Sequence, residues 1–255
     1  MIEPFAKTWI YRDWVESTND LAKELVAQPG SILPIVVWTK RQTRGRGRGE
    51  HVWWSDGGSL TFTVGLDPSA LGLERRHEPR IALASAVAVI DTLARFQLLQ
   101  DLVIRWPNDI EASGRKLSGL LPERVETKHG PRIVVGFGIN VHSRLDDAPQ
   151  AVRNMAVSVA ELAQAKIPSI SAEDWIEPIL ENLARTLHDL SRDGPALAAR
   201  WNELDALKNQ PLRIDLGPRI ISGEGRGIDD DGALLVASEG RIHRLFGGQV
   251  LRGNG

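Results

Sequence analysis

Residues 39–55 of the chain read TKRQTRGRGRGEHVWWS, a composition far from that of an average protein segment. Arginine alternates with glycine from Arg44 to Gly49, and two tryptophans follow at Trp53 and Trp54. Glycine lets the backbone approach a ligand closely, and the planar arginine guanidinium suits carboxylate and phosphate groups. The tryptophan rings offer flat faces for stacking. This combination favours a nucleotide ligand, and the alternative is a flexible arginine-glycine loop that binds RNA.

The composition excludes several classes of protein and site. The chain has 255 residues, of which 42% are hydrophobic, and its formal net charge is -2. A nucleic-acid binder is more often basic overall. The absence of cysteine excludes disulfides, thiolate metal ligands and a cysteine nucleophile. Because the sequence shows no signal peptide and no run of about 18 apolar residues, we expect a cytoplasmic protein that does not enter a membrane.

The segments on either side of the arginine-glycine stretch predict a core sheet. Residues 33–39 and 59–66 have the apolar pattern of buried strands, so the stretch should connect two core strands. Alanine-rich residues 79–96 carry apolar side chains at helical spacing. Further helices are predicted at 155–165, 172–190 and 195–204. From about residue 209, short apolar stretches alternate with glycine, which predicts a small antiparallel barrel.

Polar residues at the ends of predicted strands form a second group of candidates. Ser17, Thr18 and Asn19 lie between the first strand and the first helix, where they either cap the helix or bind a polar ligand. Asp109 follows the strand that Pro107 stops, and it is either a turn residue or a ligand for Mg²⁺.

Two further polar residues have a similar choice of roles. Lys116 lies in the hairpin that follows Asp109, and it is either solvated or a partner for phosphate or carboxylate. Asn140 ends a glycine-containing strand and is either a turn residue or an adenine contact. The GxGxxG pattern of dinucleotide-binding proteins is missing from that strand.

The order of these motifs resembles that of the biotin protein ligases. The matching pieces are STN at 17–19, GRGR at 45–48, Trp53, WPND at 106–109, GRKLSGLL at 114–121, GFGINV at 136–141 and the glycine-punctuated C-terminal segment. That family makes biotinyl-5′-AMP from biotin and ATP and then transfers biotin to a carrier-protein lysine. The resemblance implies an α+β fold with two domains. Residues 1–207 would form the class II synthetase-like biotin/lipoate ligase domain, a mixed sheet with flanking helices, and residues 208–255 an SH3-like β-barrel.

The resemblance also implies roles for individual residues. Biotin would contact Ser17, Thr18, Asn19, Gln42, Gly45, Arg46, Lys116 and Gly119. ATP would contact Arg46, Arg48, Trp53, Asn108, Lys116 and Asn140. Lys116, Arg48 and Asp109 would act in catalysis, with Asp109 binding Mg²⁺. The cofactors would be ATP and Mg²⁺, without a tightly bound prosthetic group.

The chain departs from the family pattern at three places. Residues 49–51 are Gly-Glu-His where the family commonly has Arg-Gly-Arg, which removes two arginines and adds a carboxylate. Arg105 stands where a lysine usually precedes WPND. Residues 247–250 read GGQV where Ser-Gly-Glu-Val is more usual. The Gly-Glu-His segment affects how tightly the loop would bind pyrophosphate, and the GGQV segment affects a contact from the C-terminal domain.

The expected partner is the biotin carboxyl carrier domain of a biotin-dependent carboxylase. STN falls at residue 17 and leaves no room for an N-terminal winged helix, so we expect a short form of the ligase that does not bind DNA. The sequence leaves open a monomer or a homodimer. Two alternative functions remain at this point: a lipoate or octanoate ligase or transferase on the same fold, and a nucleic-acid-binding module.

Overall fold

The structure, a computed structural model, describes residues 4–95, 101–163 and 171–251. These residues form a seven-stranded sheet, a separate five-stranded sheet and flanking helices. The strands of the larger sheet are β1 (Thr8–Val15), β2 (Ile35–Gln42), β3 (Ser59–Leu66), β4 (Leu102–Arg105), β5 (Asp109–Ala112), β6 (Arg115–Thr127) and β7 (Gly130–Asn140). The smaller sheet contains β8 (Pro211–Asp215), β9 (Ile220–Ile228), β10 (Leu234–Ser238), β11 (Arg241–Leu245) and β12 (Gln249–Val250). The α-helices are α1 (Thr18–Val26), α2 (Ile81–Arg95), α3 (Gln150–Arg153), α4 (Val159–Ala163), α5 (Ala172–Ser191) and α6 (Pro195–Glu203).

The larger sheet is mixed, and its central strand β3 is buried on both faces. Its strand order is β1-β2-β3-β7-β6-β5-β4, in which β1 and β2 are parallel and the other neighbours antiparallel. Successive side chains of a strand point to opposite faces. Ile35 and Val37 therefore pack with α1 on one face, whereas Val36 packs with the core built by α2 and α5 on the other. This arrangement confirms the predicted mixed sheet with flanking helices.

Most predicted elements lie within a few residues of the observed ones. Strand β3 has the predicted bounds, and α2 lies within the predicted helix 79–96, whose last residue is outside the described residues. The predicted helix 155–165 is wrong in its first part, because only Val159–Ala163 is helical and residues 164 and 165 are outside the described residues. The Lys116 amide donates to Met155 O at 2.7 Å. Pairing with β6 therefore holds this segment extended, against its helical periodicity.

The smaller sheet is antiparallel, as predicted, and is joined to the larger one through the β9–β10 turn. This turn contains the Asp229-to-Gly232 run, and the Asp229 amide donates to Ala233 O at 3.0 Å. Arg80 Nη1 donates to Asp230 O at 3.1 Å, and Trp106 Nε1 donates to Gly232 O at 3.0 Å. The turn thus fixes the small sheet next to the WPND segment. The domain boundary at 207/208 stays a prediction. No helix in the described ranges is long and apolar enough to cross a membrane.

Candidate active site

The arginine-glycine stretch, here called the Arg-Gly loop (residues 44–51), folds back on itself between β2 and β3. The Gly47 amide donates to His51 O at 2.7 Å, and the Trp53 amide donates to Gly45 O at 2.9 Å. A Cβ atom at Gly45 would overlap the carbonyl oxygen of Trp53, so glycine is needed for this close approach. The loop is therefore a defined hairpin, unlike the unfolded arginine-glycine segments that bind RNA.

The loop borders a cleft of about 1400 Å³ that reaches from the larger sheet to the smaller one. The predicted site residues that line it are Ser17, Thr18, Asn19, Gln42, Arg46, Arg48, Trp53, Asn108, Asp109, Lys116, Gly119 and Asn140. Gly45 does not line the cleft, because it is buried against the backbone of Trp53. The structure thus brings together residues from five separate sequence motifs, and their ligand contacts stay predictions.

The polar residues at the start of α1 are buried, and each is hydrogen-bonded within the protein. Ser17, Thr18 and Asn19 are each only 3% exposed. The Thr18 amide donates to Gln42 Oε1 at 2.7 Å, and the Thr18 hydroxyl lies 3.1 Å from the same oxygen. Ser17 caps α1 by accepting a hydrogen bond from the Asp20 amide, so the predicted capping role is observed for Ser17. These contacts fix the Gln42 side chain through its oxygen. Its amide nitrogen takes no part in them and is available to a polar ligand.

Glu123 of β6 is part of this polar region, although no sequence motif indicated it. Asn19 Nδ2 donates to Glu123 Oε2 at 2.9 Å, and Lys23 Nζ lies 2.7 Å from Glu123 Oε1. Arg46 of the loop binds both oxygens of the same carboxylate. Burial alone would raise the pKa of Glu123, but the bonds from Asn19 and Lys23 and the attraction of the two cations lower that pKa. Glu123 is therefore held as a charged carboxylate.

Lys116 lines the cleft and lies between a carboxylate and an aromatic ring. Its Nζ is 2.7 Å from Asp109 Oδ1 and 5.9 Å from the centre of the Trp53 ring. The indole rests on β7 at Gly138, where an added Cβ would be 2.5 Å from Trp53 Cε2. Gly119 similarly leaves room for the Lys116 side chain, which would be 3.0 Å from a Cβ there. Two glycines thus permit the lysine and the tryptophan to lie against the sheet.

The two asparagines predicted to contact ATP donate hydrogen bonds to backbone carbonyl groups. Asn108 Nδ2 donates to Leu120 O at 2.8 Å, and Asn140 Nδ2 donates to Val157 O at 3.2 Å. Asn140 therefore joins β7 to the segment before α4, which is a structural role. Both side chains still border the cleft, and their contacts with ATP stay predictions.

Among the described residues, cationic side chains outnumber carboxylates in the lining of the cleft, and two of them, Arg46 and Arg105, are paired with carboxylates outside the lining. Five cationic side chains line it (Arg46, Arg48, Arg105, Lys116 and Arg213), against two carboxylates (Glu50 and Asp109). Desolvation in the cleft lowers the pKa of Arg48, and the Asp109 carboxylate opposes this effect. Such an excess stabilises a polyanion such as a triphosphate.

The smaller sheet contributes to this charged region. Arg213 of β8 borders the cleft, and Arg48 Nη1 donates to Gly248 O at 2.6 Å. The sequence offered no motif for Arg213, since its place in the cleft depends on how the β9–β10 turn docks. The Arg48 contact uses a backbone carbonyl and is therefore insensitive to the unusual side chain at residue 249.

The few oxygen donors around Asp109 suit Mg²⁺, and not a metal ion that takes three or more ligands from protein side chains. The described ranges contain no cluster of three or more His, Cys, Asp or Glu side chains. Asp109 supplies one carboxylate and Asn108 lies next to it. Mg²⁺ commonly binds one or two protein carboxylates and takes its other ligands from phosphate and water. The residues present therefore fit an ion that arrives with a nucleotide.

Comparison with known proteins places this chain in a family. The sequence profile of the biotin/lipoate A/B protein ligase family matches residues 11–140. The bifunctional ligase/repressor BirA of Bacillus spizizenii is 30% identical over 244 residues, which cover 94% of this chain and 73% of that protein. The biotin–[acetyl-CoA-carboxylase] ligase of Mycobacterium tuberculosis is 27% identical over 250 residues, covering 95% and 89%.

A solved structure has the same fold. The biotin protein ligase from Aquifex aeolicus in complex with biotin and ATP matches with a TM-score of 0.80 at 23% identity, covering 96% of this chain and 98% of that one. This likeness confirms the predicted fold, a mixed sheet with flanking helices followed by a small C-terminal β-sheet. The chain belongs to the biotin/lipoate A/B protein ligase family.

Proposed function

We propose that this chain is a biotin protein ligase. In the first step, a biotin carboxylate oxygen attacks the α-phosphorus of ATP, forming biotinyl-5′-AMP and releasing pyrophosphate. In the second step, a lysine amine of a carrier protein attacks the acyl carbon and displaces AMP. The observation that carries the proposal is the cleft itself, which is lined both by a group of buried polar side chains and by cationic side chains that include Lys116.

Biotin would bind at the polar end of the cleft. Its ureido ring has both donors and acceptors, and Ser17, Thr18, Asn19 and Gln42 supply matching groups that are already fixed by hydrogen bonds. A buried site of this kind favours a polar ring over a fatty acyl chain, because an apolar ligand would leave the amide nitrogen of Gln42 without a partner. Biotin is therefore preferred to lipoate or octanoate. Gly119 would let the ligand approach the backbone of β6, next to Lys116.

ATP would bind at the cationic end. Trp53 offers its ring face for stacking with adenine, and Arg48 and Lys116 would contact the phosphates. Arg46, which pairs with Glu123 beside Asn19, would contact both biotin and ATP. Arg213 borders the same region, and we add it as a phosphate contact. Lys116 would stabilise the negative charge that develops between the biotin carboxylate and the α-phosphate. The chain needs no nucleophile of its own, because the two substrates react with each other.

Mg²⁺ would be held by Asp109, with Asn108 beside it. When bound, the ion would neutralise phosphate charge in the transition state. The protein's own part is then to orient the substrates and to exclude water. Lys116 and Asp109 form an ion pair, and we infer that this pair opens when nucleotide and metal bind.

The acceptor would be the biotin carboxyl carrier domain of a carboxylase. Relatives named biotin–[acetyl-CoA-carboxylase] ligase support this choice. A cytoplasmic location, as expected from the sequence, stays a prediction.

Incubation of the purified protein with biotin and Mg-ATP, without an acceptor, tests the proposal. We expect biotinyl-AMP and pyrophosphate in equal amounts, and no turnover when octanoate or lipoate replaces biotin. Activation of octanoate or lipoate in place of biotin would move the chain to the other branch of the family. A failure to activate any of the three acids would contradict the proposed function.

A further inference from the structure

A cluster of four charged side chains lies beside Asn19, at the border between α1, β6 and the Arg-Gly loop. It consists of Asp20, Lys23, Arg46 and Glu123, and is called here the Glu123 cluster. Arg46 Nη2 is 2.9 Å from Glu123 Oε1, and Arg46 Nη1 is 2.6 Å from Asp20 Oδ1. Lys23 Nζ is 2.7 Å from Glu123 Oε1.

Glu123 connects three elements that carry site residues. Its carboxylate accepts hydrogen bonds from Asn19 and Lys23 of α1 and from Arg46 of the loop, while Glu123 itself belongs to β6. The Glu123 side chain is only 21% exposed. A partly buried carboxylate with several charged donors holds its partners in a defined geometry more strongly than an exposed ion pair does.

The same carboxylate fixes the orientation of the Asn19 amide. Asn19 Nδ2 donates to Glu123 Oε2 at 2.9 Å and to Leu121 O at 3.1 Å, which places the amide oxygen on the opposite side. That oxygen lies 2.7 Å from the Thr63 hydroxyl. An Asn19 amide that could flip would present either its nitrogen donor or its oxygen acceptor to a ligand. These hydrogen bonds hold the amide in one orientation.

We propose that Glu123 is a positioning residue for substrate binding, which holds Arg46 against α1 and sets the orientation of Asn19. Glu123 does not line the cleft and acts through these two residues, which do. The effect of Glu123 on the position of the Arg-Gly loop depends only on its contacts with Arg46 and α1. The effect on biotin binding rests on the function proposed above.

Two substitutions separate the two actions of Glu123. Glu123→Gln keeps an oxygen that can accept from Asn19 but removes the charge that binds Arg46 and Lys23. Glu123→Ala removes both. Glu126→Gln is the matched control, because Glu126 lies on the same strand, has a side chain 72% exposed and bonds only to Arg124 among the contacts of the described residues.

The first measurement is limited digestion with trypsin in the absence of substrates, following cleavage after Arg46. Cleavage requires local opening of the loop. We expect Glu123→Gln to increase the rate about fivefold to tenfold, since it loses a charge-assisted bond. Glu126→Gln should be cleaved like the wild type, and thermal unfolding confirms that each variant is folded.

The second measurement is the KM for biotin and the kcat of biotinyl-AMP formation. Glu123→Gln should raise the KM for biotin roughly tenfold and change kcat less than threefold, and Glu123→Ala should raise the KM further. Combining Glu123→Gln with Arg46→Gln should add little to either single change, because both remove the same contact.

The outcomes distinguish failure of this inference from failure of the proposed function. If the wild type does not activate biotin, the proposed function is wrong, and the trypsin measurement alone decides the loop contact. If the wild type activates biotin but Glu123→Gln matches it in both cleavage rate and KM, Glu123 is not a positioning residue. A fall in kcat at constant KM would also overturn the inference.

Discussion

Lys116 is the residue whose contacts connect the two halves of the cleft. Its amine pairs with Asp109 at 2.7 Å, and its side chain lies against Trp53 and Gly119. In the proposed reaction this cation is closest to the bond that forms between a carboxylate and a phosphate. Loss of one such preorganised charge commonly slows an enzyme by about 100-fold to 1000-fold.

We therefore expect Lys116→Ala to reduce biotinyl-AMP formation by at least about 100-fold while the protein stays folded. The side chain is 32% exposed, so its removal leaves no buried cavity. Quantifying biotinyl-AMP in single turnovers and recording the circular dichroism spectrum check both parts. Lys40→Ala is the control, since that side chain is 71% exposed. Near-normal turnover in Lys116→Ala would remove this lysine from the mechanism.

At the same scale, the sequence predicted twelve of the residues that line the cleft, but neither Arg213 of the smaller sheet nor the residues that support the lining. Ser17, Asp109 and Lys116 stand in sequence patterns that suggest chemistry. Glu123 stands in none, and its partner Arg46 is separated from it by 77 residues. Glu123 and Arg46 come together only when β6 pairs with its neighbours in the folded sheet. A single sequence therefore does not predict positioning residues of this kind.

Among the elements, the Arg-Gly loop differs from the family pattern in charge. Its Gly49-Glu50-His51 segment borders the cleft, where Glu50 would repel the triphosphate of the proposed ATP substrate. Glu50→Arg changes the local charge by two units. We expect this change to lower the KM for ATP about threefold at low salt, with a smaller effect at high salt because the side chain is exposed to screening ions.

The measurement is the KM for ATP at two salt concentrations for Glu50→Arg and for Glu173→Arg. Glu173 is an exposed residue in the first turn of α5 and does not line the cleft. The control should match the wild type. An unchanged KM for Glu50→Arg, or a gain that does not depend on salt, would show that this turn does not face the phosphates.

Periodicity predicted the long elements well because their burial is regular. Strand β3 is buried along its whole length and α2 along most of its own, so apolar spacing defines both. The segment at 155–158 has helical spacing too, but its backbone pairs with Lys116 of β6. A local pattern contains no information about that distant partner, and tertiary pairing overrode the weak helical preference.

On the scale of the whole molecule, the cleft depends on how the two sheets are joined. The β9–β10 turn contacts Arg80 and Trp106, and the segment before β8 contacts β4. These contacts place Arg213 and Gly248 beside the Arg-Gly loop. The sequence indicated the small barrel from its glycine spacing, but the contribution of that barrel to the cleft follows only from the docking.

Asp205 lies in this connection and makes it sensitive to pH. Its Oδ1 accepts from the Leu207 amide at 2.9 Å, and Oδ2 is buried without a hydrogen-bond partner among the described residues. Burial raises the pKa of Asp205 from 3.8 to about 6. Between these two values the folded protein holds a proton that the unfolded chain has released. The stability of the folded state therefore falls as the pH rises through this window, and the loss is complete above pH 6.

Asp205→Asn removes this penalty, since the amide keeps an acceptor for Leu207 and has no charge. We expect it to raise the free energy of unfolding by about 1 to 2 kcal/mol at pH 8, after allowance for partial exposure, and by much less at pH 4. Urea unfolding at the two pH values, with the exposed Asp146→Asn as control, measures the difference. Equal stabilisation at both pH values would mean that Asp205 acts by packing. A loss of stability at pH 8 would mean that the charged carboxylate is solvated by water in the folded protein, and that the connection between the sheets does not respond to pH.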